Sequence, residues 1–230
     1  MSGPAPVQQQ PTSAWSMYRA IVGIGAFCAL IIVTAYQATA DRIRENQDRF
    51  LAQASAEVLP AATSTVAVKL AGDGSLALAS ETGELPAFLG YGPDNRLVGA
   101  VIAAQGMGYQ DNIRVLYAYS FDQDAIVGFK ILDSKETPGL GDRVEKEAHF
   151  LANFERLDAS LDPAGDALAN PIVTVKQGQK TEPWQLDGIT GATITSEAIG
   201  NILNQSASRW VPALEGSAGR FAERSTPEGR

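Results

Sequence analysis

The chain has a single cysteine, Cys28, and a single histidine, His149, in 230 residues. One cysteine can form neither an internal disulfide nor the four-thiolate ligand set of an iron–sulfur cluster. One histidine argues against a multi-histidine metal site, and no nucleophile motif accompanies His149 as a Ser-His-Asp triad would require. The sequence therefore predicts no metal site and no catalytic residues, and we expect no substrate turnover by this chain alone.

Basic residues are also scarce. The 18 Lys and Arg are outnumbered by 26 Asp and Glu, which gives a net charge of −8. A nucleic-acid-binding domain normally shows a basic patch or stripe, so this balance predicts no nucleic-acid partner. Hydrophobic residues make up 45% of the chain and charged residues 19%, as in a packed domain.

Residues 20–40 contain no charged side chain. As a helix rising about 1.5 Å per residue, this segment spans roughly 30 Å, the thickness of a bilayer core. Trp15 and Tyr18 lie just before it and Tyr36 lies near its end, as interfacial aromatics do. The "ATA" at its end also suits a cleaved signal peptide, but the long entry region with only Arg19 favours a retained single-pass helix in the lipid bilayer.

The rest of the chain predicts an α+β fold. Short apolar runs such as "LVGAVIAAQ", "IRVLYAYSF" and "IVGFKIL" read as strands, and "DQDA" between the last two reads as a hairpin turn. Helical spacing begins at Val144 and again at Ser196. We therefore expect one domain with an antiparallel sheet and flanking helices behind a single N-terminal transmembrane helix.

The predicted organisation has five parts. These are a mobile tail at residues 1–19, a transmembrane helix at 20–40, a charged linker helix at 41–60, the main domain at 61–210 and a polar, mobile tail at 211–230. Basic residues are slightly more numerous after the span than before it. The positive-inside rule, counted strictly, would place the main domain in the cytoplasm.

The segment "SKETPGLGD", residues 134–142, follows an apolar strand. Gly139 and Gly141 predict a tight turn that exposes backbone N–H groups to a flat ligand and pushes Leu140 outward. The same letters also suit a plain strand-to-helix connection in which Asp142 caps the next helix. Earlier in the chain, "GMGYQDNI" predicts a glycine-rich loop with Tyr109 exposed, which is an ordinary loop signal when taken alone.

In the segment "LDGITGATITSEA", residues 186–198, four hydroxyl side chains lie close to Gly191. Thr195 or Ser196 is a plausible N-cap for the helix that follows. A helix start with several hydroxyls is suited to a phosphate, and it is equally suited to a helix that is simply capped several times. These residues alone leave both interpretations open.

Three strings together resemble the FMN-binding domain family. The flavinylation sequence of that family, Asp-x-x-(Ser/Thr)-Gly-Ala-Thr, is resembled by "DGITGAT" at residues 187–193. The second signature of the family is resembled by "ETPGLG" at residues 136–141, and the third by "GY" at residues 108–109. They occur in the family's order behind one membrane span, and the resemblance covers roughly residues 15–210. Ser134 stands where many members have a histidine.

The resemblance implies an FMN cofactor that a flavin transferase joins through its phosphate to Thr193, a phosphoester bond. No base beside Thr193 is then needed, because the transferase activates the hydroxyl. The transferase would recognise the other residues of the flavinylation sequence. Leu140 and its neighbours would line the flavin ring, with backbone N–H groups near the carbonyls of the ring. Lys176 would place a cation near the flavin. The cofactor-binding residues implied are Thr193, Asp187, Thr190, Gly191, Ala192, Thr195, Glu136, Thr137, Gly139, Leu140, Gly141, Tyr109 and Lys176.

The resemblance also implies a function. The chain would be a flavoprotein subunit that relays electrons one at a time in a bacterial inner-membrane complex, coupling ferredoxin and NAD redox chemistry to ion movement. Its partners would be the other membrane and redox subunits, and its domain would lie on the periplasmic side, against the weak charge count. The alternatives are a subunit of a sodium-translocating NADH:quinone reductase, a module that binds a phosphate ligand non-covalently, and a structural subunit with an emptied flavin fold.

Overall fold

Seven strands form one antiparallel sheet in the computed structural model, which describes residues 14–72, 74–79 and 87–222. The order across the sheet is β2-β1-β3-β4-β5-β6-β7. A short parallel pair, β8 and β9, lies outside it. The strands are β1 Ser64–Leu70, β2 Leu76–Leu78, β3 Ala87–Tyr91, β4 Leu97–Met107, β5 Asn112–Ser120, β6 Ala125–Asp133, β7 Leu157–Asp158, β8 Val173–Val175 and β9 Gln185–Asp187.

Three α-helices accompany the strands in the described residues: α1 Ala14–Val58, α2 Ala148–Leu151 and α3 Thr193–Phe221. The α+β class and the mostly antiparallel sheet predicted from the sequence are confirmed. The predicted hairpin is present too, because the turn after β5 leads directly into its antiparallel neighbour β6. The helical spacing from Val144 produces only short pieces, namely α2 between two 3-10 helices at Gly141–Glu145 and Ala152–Glu155.

Helix α1 contains the apolar segment. Ala14–Ala40 has a mean hydropathy of 2.0 and is long and apolar enough to cross a membrane. Its side chains are exposed almost throughout, as expected of a helix whose partner is lipid. The predicted tail at residues 1–19 therefore overlaps this helix from Ala14 onward, and residues 1–13 lie outside the described part of the chain.

The chain divides into two units between Leu51 and Ala52, nine residues before the boundary predicted at 60–61. The last turns of α1 thus belong to the second unit, where Ala54 and Val58 are buried together with Leu59. These side chains pack on Val101, Ala103, Leu116 and Ala118 of the sheet. The predicted linker helix therefore ends as part of the core of the domain.

The opposite face of the sheet packs against α3. Tyr117 and Tyr119 point to this face, and their hydroxyls bond Ser206 and Glu215 of α3 at 2.8 Å each. Successive side chains of a strand point to opposite faces, so both faces of β4 and β5 are buried at once. That double burial explains why both strands are nearly continuous apolar runs in the sequence.

The mobile tail predicted from residue 211 is wrong for its first half. Helix α3 continues to Phe221, with Val211 and Leu214 almost fully buried against the sheet. Their spacing continues the buried positions Leu203 and Ala207, so the apolar stripe outlasts the change to a polar composition. Residues 223–230 lie outside the described part of the chain.

Replacing Gly128 of β6 by alanine should destabilise the domain. A Cβ at this position would overlap the backbone carbonyl of Val58, which cannot rotate away as a side chain can. We expect a loss of about 1–3 kcal/mol in the free energy of unfolding, as for other overpacked sites. Urea unfolding of Gly128→Ala measures the change. The control is Gly216→Ala in α3, where a Cβ meets no atom within 4 Å and should be neutral or stabilising. Equal stability of the two variants would contradict the packing described.

The Tyr119–Glu215 contact predicts a pH-dependent stability. Partial burial raises the pKa of Glu215 above its usual value of 4.5, although the hydrogen bond from Tyr119 opposes the shift. The folded state therefore binds a proton more tightly than the unfolded state. The stability that this proton confers is complete below pH 4.5 and is lost as the pH rises through the folded-state pKa.

Glu215→Gln removes this titration while keeping an acceptor for Tyr119. We expect the variant to gain stability relative to the wild type between about pH 4 and pH 7 in parallel urea titrations. A change in the opposite direction, with the variant relatively weaker at neutral pH, would contradict the shift.

Candidate functional site

The buried carboxylate of Glu136 joins the three strings singled out in the sequence. Its side chain follows the end of β6 and is only 6% exposed. Oε2 accepts a hydrogen bond from the Thr195 hydroxyl at 2.7 Å, and Oε1 accepts one from the Gln110 N–H at 3.0 Å. Both oxygens are therefore paired, as a buried carboxylate requires. One side chain brings together a loop after β4, the turn after β6 and the start of α3.

Two glycines make room for this carboxylate. A Cβ at Gly108 would overlap Oε1 of Glu136, and a Cβ at Gly141 would lie 2.5 Å from Oε2. Any larger residue would have to displace a buried, hydrogen-bonded group. Glycine at these two positions is thus required by the close approach of the backbone.

The turn at residues 137–142 is closed by its own hydrogen bonds. The N–H groups of Leu140 and Gly141 donate to the carbonyl of Thr137 at 3.1 Å, and the N–H of Gly139 donates to Oδ1 of Asp142 at 2.6 Å. The exposed backbone N–H groups expected here are therefore occupied within the turn. The expected outward position of Leu140 is confirmed, with its side chain 52% exposed. This turn can therefore present the apolar side chain of Leu140 to a ligand, but not the N–H groups of Gly139, Leu140 and Gly141.

Asp142 closes this turn instead of capping the helix that follows it. Its carboxylate bonds back to Gly139 and forwards to the ammonium of Lys146, 2.6 Å away. The Lys146 hydrogen bond lowers the pKa of Asp142, so the carboxyl is charged at neutral pH. Thr137, on the other side of the turn, donates its hydroxyl to the side chain of Gln110 at 3.1 Å. The Thr137–Gln110 hydrogen bond joins the turn to the Tyr109 loop.

Helix α3 begins at Thr193, earlier than the sequence predicts. Ala192 occupies the N-cap position and offers no side-chain cap, so the predicted capping by Thr195 or Ser196 is wrong. Thr195 lies in the first turn and bonds Glu136, while the Ser196 hydroxyl receives the Ile189 N–H at 3.2 Å. The side chain of Thr193 is exposed at the first helical position.

The first turn of α3 keeps free hydrogen-bond donors. Among the described residues, no group accepts a hydrogen bond from the backbone N–H of Thr193, Ile194 or Thr195. The first N–H groups of an α-helix have no acceptor within the helix itself. Gly191, just before the helix, has φ of +87°, a left-handed conformation that favours glycine. An uncapped, glycine-led helix start with an exposed hydroxyl is suited to a phosphate group.

Three exposed apolar side chains surround the Glu136 contacts. Tyr109 is 63% exposed, Leu140 52% and Ile194 56%, and each is the chain neighbour of a residue that packs on or bonds to Glu136. Ile194 was not predicted from the sequence. Its apolar side chain in the first turn of a helix, where the remaining positions are polar or small, is the signal that would have revealed it. Exposed apolar and aromatic groups of this kind are suited to a flat aromatic ligand.

Lys176 lies at the edge of this arrangement. It follows Val175 of β8, whose carbonyl accepts the Gly188 N–H at 3.0 Å, and its side chain is exposed. The structure therefore places Lys176 beside the beginning of the acceptor segment, in agreement with the predicted strand end. Within the described ranges its ammonium makes no hydrogen bond to Glu136 or to Thr193, so its role towards a cofactor stays a prediction.

Two further side chains reach the acceptor segment, and sequence reasoning missed both. Arg143 Nη1 donates to the carbonyl of Thr190 at 2.6 Å, and the side-chain oxygen of Gln177 accepts the Thr190 N–H at 2.9 Å. Asp187 is engaged as well, because its Oδ1 accepts the Gly178 N–H at 2.6 Å. No local sequence motif predicts these contacts, since each joins positions nine or more residues apart.

Comparison with known proteins identifies the domain. The FMN-binding domain family model matches residues 108–208, which include all three strings. The fold is similar to that of NqrC from Shewanella oneidensis, with a TM-score of 0.54 and 17% identity over 77% of this chain and 97% of that one. The C subunit of the Na⁺-translocating NADH-quinone reductase from Parabacteroides distasonis gives a TM-score of 0.53 at 22% identity, covering 66% of this chain and 78% of that one.

Two curated relatives extend the similarity over most of the chain. The G subunit of the ion-translocating oxidoreductase complex of Methanosarcina acetivorans is 28% identical over 85% of this chain and 93% of its own length. The G subunit of the Na⁺-translocating ferredoxin:NAD⁺ oxidoreductase complex of Acetobacterium woodii is 30% identical over 81% of this chain and 85% of its own length.

An FMN-binding domain behind one apolar N-terminal helix defines a membrane-anchored flavoprotein. Within that class, the chain belongs to the RnfG family, the G subunits of ion-translocating oxidoreductase complexes. It is accordingly an electron-transfer subunit that works with other subunits of a membrane complex. The residues found at the site suit its cofactor, because the helix start can bind a phosphate and the exposed apolar side chains can contact a flat ring.

Replacing Glu136 by alanine should weaken the folded domain and loosen the site. The change leaves the Gln110 N–H and the Thr195 hydroxyl without their acceptor in a buried setting. We expect a loss of about 2–4 kcal/mol in the free energy of unfolding, measured with urea. Glu182→Ala, which removes an exposed carboxylate, is the control and should change stability by less than about 0.5 kcal/mol. A Glu136→Ala protein as stable as the control would show that the carboxylate does not join the three segments.

Proposed function

We propose that Thr193 carries FMN through a phosphoester bond and that the chain thereby relays electrons inside an Rnf-type complex. The observation that supports this most directly is the start of α3. An exposed threonine hydroxyl stands there beside an uncapped helical turn with free N–H donors. The positive end of the helix dipole favours the negative charge of a phosphodiester, and the N–H groups can donate to its oxygens.

The attachment needs chemistry that this chain does not supply. In the described part of the chain, no side chain is hydrogen-bonded to the Thr193 hydroxyl, so none is positioned to remove its proton. We therefore assign the reaction to a separate flavin transferase that uses a flavin dinucleotide as activated donor. The threonine oxygen attacks the flavin-side phosphorus, the pyrophosphate P–O bond breaks, a nucleoside monophosphate leaves, and the hydroxyl proton passes to the transferase.

The other residues of the site then act as binding groups. Tyr109, Leu140 and Ile194 offer apolar surface to the flavin ring, while Glu136 holds the three segments that carry them. Thr137, Gly139 and Gly141 shape the turn, and Lys176 adds a positive charge near the acceptor segment. When bound, the flavin supplies one- and two-electron transfer, which amino-acid side chains do not provide at this site.

The coupling and the topology belong to the same proposal. The Acetobacterium relative is named as a subunit of a Na⁺-translocating ferredoxin:NAD⁺ oxidoreductase, and we propose the same ferredoxin–NAD coupling for the complex of this chain. We further propose that the domain lies on the periplasmic side of a bacterial inner membrane, as the family resemblance implies. The lipid bilayer is then the partner of the segment Ala14–Ala40.

Thr193→Ala should abolish covalent flavin. The wild-type chain, co-expressed with a flavin transferase, should show flavin fluorescence on a denaturing gel because the phosphoester survives unfolding. The alanine variant should show none, and Thr193→Ser, which retains a hydroxyl, is the control and should remain fluorescent. Persistent fluorescence in the alanine variant would move the attachment elsewhere. Loss of flavin from the denatured wild type would instead favour a non-covalent phosphate site.

A further inference from the structure

We propose that Gln177 and Arg143, which lie outside the acceptor motif, are positioning residues that hold the peptide of Thr190 in place for flavin attachment at Thr193. This inference rests on the proposed attachment reaction. It assigns the positioning of a motif residue to side chains that lie elsewhere in the sequence.

The first contact comes from a turn after β8. The side-chain oxygen of Gln177 accepts the Thr190 N–H at 2.9 Å, and the turn itself is closed by the Gln179 N–H donating to the Lys176 carbonyl at 2.9 Å. Gly178, with φ of +77°, donates its N–H to Oδ1 of Asp187 at 2.6 Å. The turn is therefore tied to the acceptor motif at two points, Asp187 and Thr190.

The second contact comes from a more distant segment, the 3-10 helix Gly141–Glu145. Arg143 Nη1 donates to the Thr190 carbonyl at 2.6 Å, and its guanidinium also pairs with Glu147. Glu147 in turn pairs with Nδ1 of His149 at 3.2 Å, and Nε2 of His149 lies 3.2 Å from the carbonyl oxygen of Gly188. A chain of side-chain contacts thus begins at the Gly188 carbonyl and ends at the Thr190 carbonyl.

Both polar groups of the Thr190 backbone are consequently bonded by side chains, the N–H by Gln177 and the carbonyl by Arg143. This is unusual for an exposed residue, whose N–H and carbonyl would ordinarily bond water. Thr190 comes directly before Gly191, and the positive φ of Gly191 turns the chain into α3. Fixing Thr190 therefore fixes the direction in which the chain enters the helix that begins with Thr193. A reacting hydroxyl held in one position reacts faster than one that must first be ordered.

The same contacts give Asp187 a different task from the one implied by the family resemblance. Its carboxylate accepts the Gly178 N–H, and its backbone exchanges hydrogen bonds with the side chain of Asn153 at 2.9 and 3.1 Å. Asp187 is thus already occupied within the chain, where it supports the turn that carries Gln177. We assign it a positioning role through that turn.

The experiment compares two glutamines of the same turn. The purified full chain, free of flavin, is incubated with purified flavin transferase and flavin dinucleotide, and covalent loading is followed as gel fluorescence over time. Gln177→Ala should load about tenfold more slowly than the wild type because the acceptor peptide is no longer preorganised. Gln179→Ala is the matched control, since its exposed side chain makes no hydrogen bond within the described ranges, and it should load normally. Gln177→Glu keeps an acceptor oxygen and should restore the wild-type rate.

A second readout does not depend on loading. Amide hydrogen exchange at Thr190 should speed up in Gln177→Ala and in Arg143→Gln, but not in Gln179→Ala, while all variants retain the wild-type melting temperature. Arg156→Gln, which removes an exposed cation elsewhere in the domain, should leave the Thr190 exchange rate unchanged. A change confined to Thr190 and its neighbours separates local positioning from general loss of structure.

The outcomes distinguish the two proposals. Normal loading by Gln177→Ala, with wild-type fluorescence at Thr193, would overturn the positioning role and leave the attachment intact. A wild-type chain that never becomes covalently fluorescent would overturn the attachment proposal and this inference with it. Unchanged Thr190 exchange in both Gln177→Ala and Arg143→Gln would also overturn the positioning role, whatever the loading rate.

Discussion

The site depends on one buried carboxylate. Leaving the charge of Glu136 unpaired away from water would be costly, so the folded chain must supply it with donors. It does so with one N–H from the loop after β4 and one hydroxyl from the first turn of α3. The hydrogen bonds that this single carboxylate requires therefore hold together three segments that are far apart in sequence. Tyr109, Leu140 and Ile194 are exposed, and each is the chain neighbour of a residue in contact with this carboxylate.

The sheet makes this convergence possible. Its central strands β4 and β5 are covered on one face by α3 and on the other by the last turns of α1. Burial on both faces fixes the middles of β4 and β5, and the loops that follow β4 and β6 start from this packed sheet. The Tyr109 loop leaves β4 and the Glu136 turn leaves β6, so both extend from the same side of a well-packed sheet. The flexible-looking glycine-rich strings are thus short connections between fixed points.

Much of this could be predicted from residues close together in the chain. The apolar runs predicted the strands, and the glycines around Leu140 predicted its exposure. The resemblance of three strings to a known family implied an FMN-binding domain. The errors share one cause, which is tertiary contact. Thr195 does not cap α3 because its hydroxyl bonds Glu136, and the helix extends beyond residue 210 with Val211 and Leu214 packed on the sheet. The contacts of Thr190 with Arg143 and Gln177 join positions that no local pattern connects.

The length of α3 gives its first residue a particular mechanical property. The helix packs on the sheet from Ile199 to Leu214, so it cannot slide or rotate without breaking the core. A group attached to Thr193, as proposed, would therefore be anchored at a fixed point of the domain. Its range of movement would be set by the rotatable bonds of the group itself, and its distance from a redox partner would depend on how that partner docks.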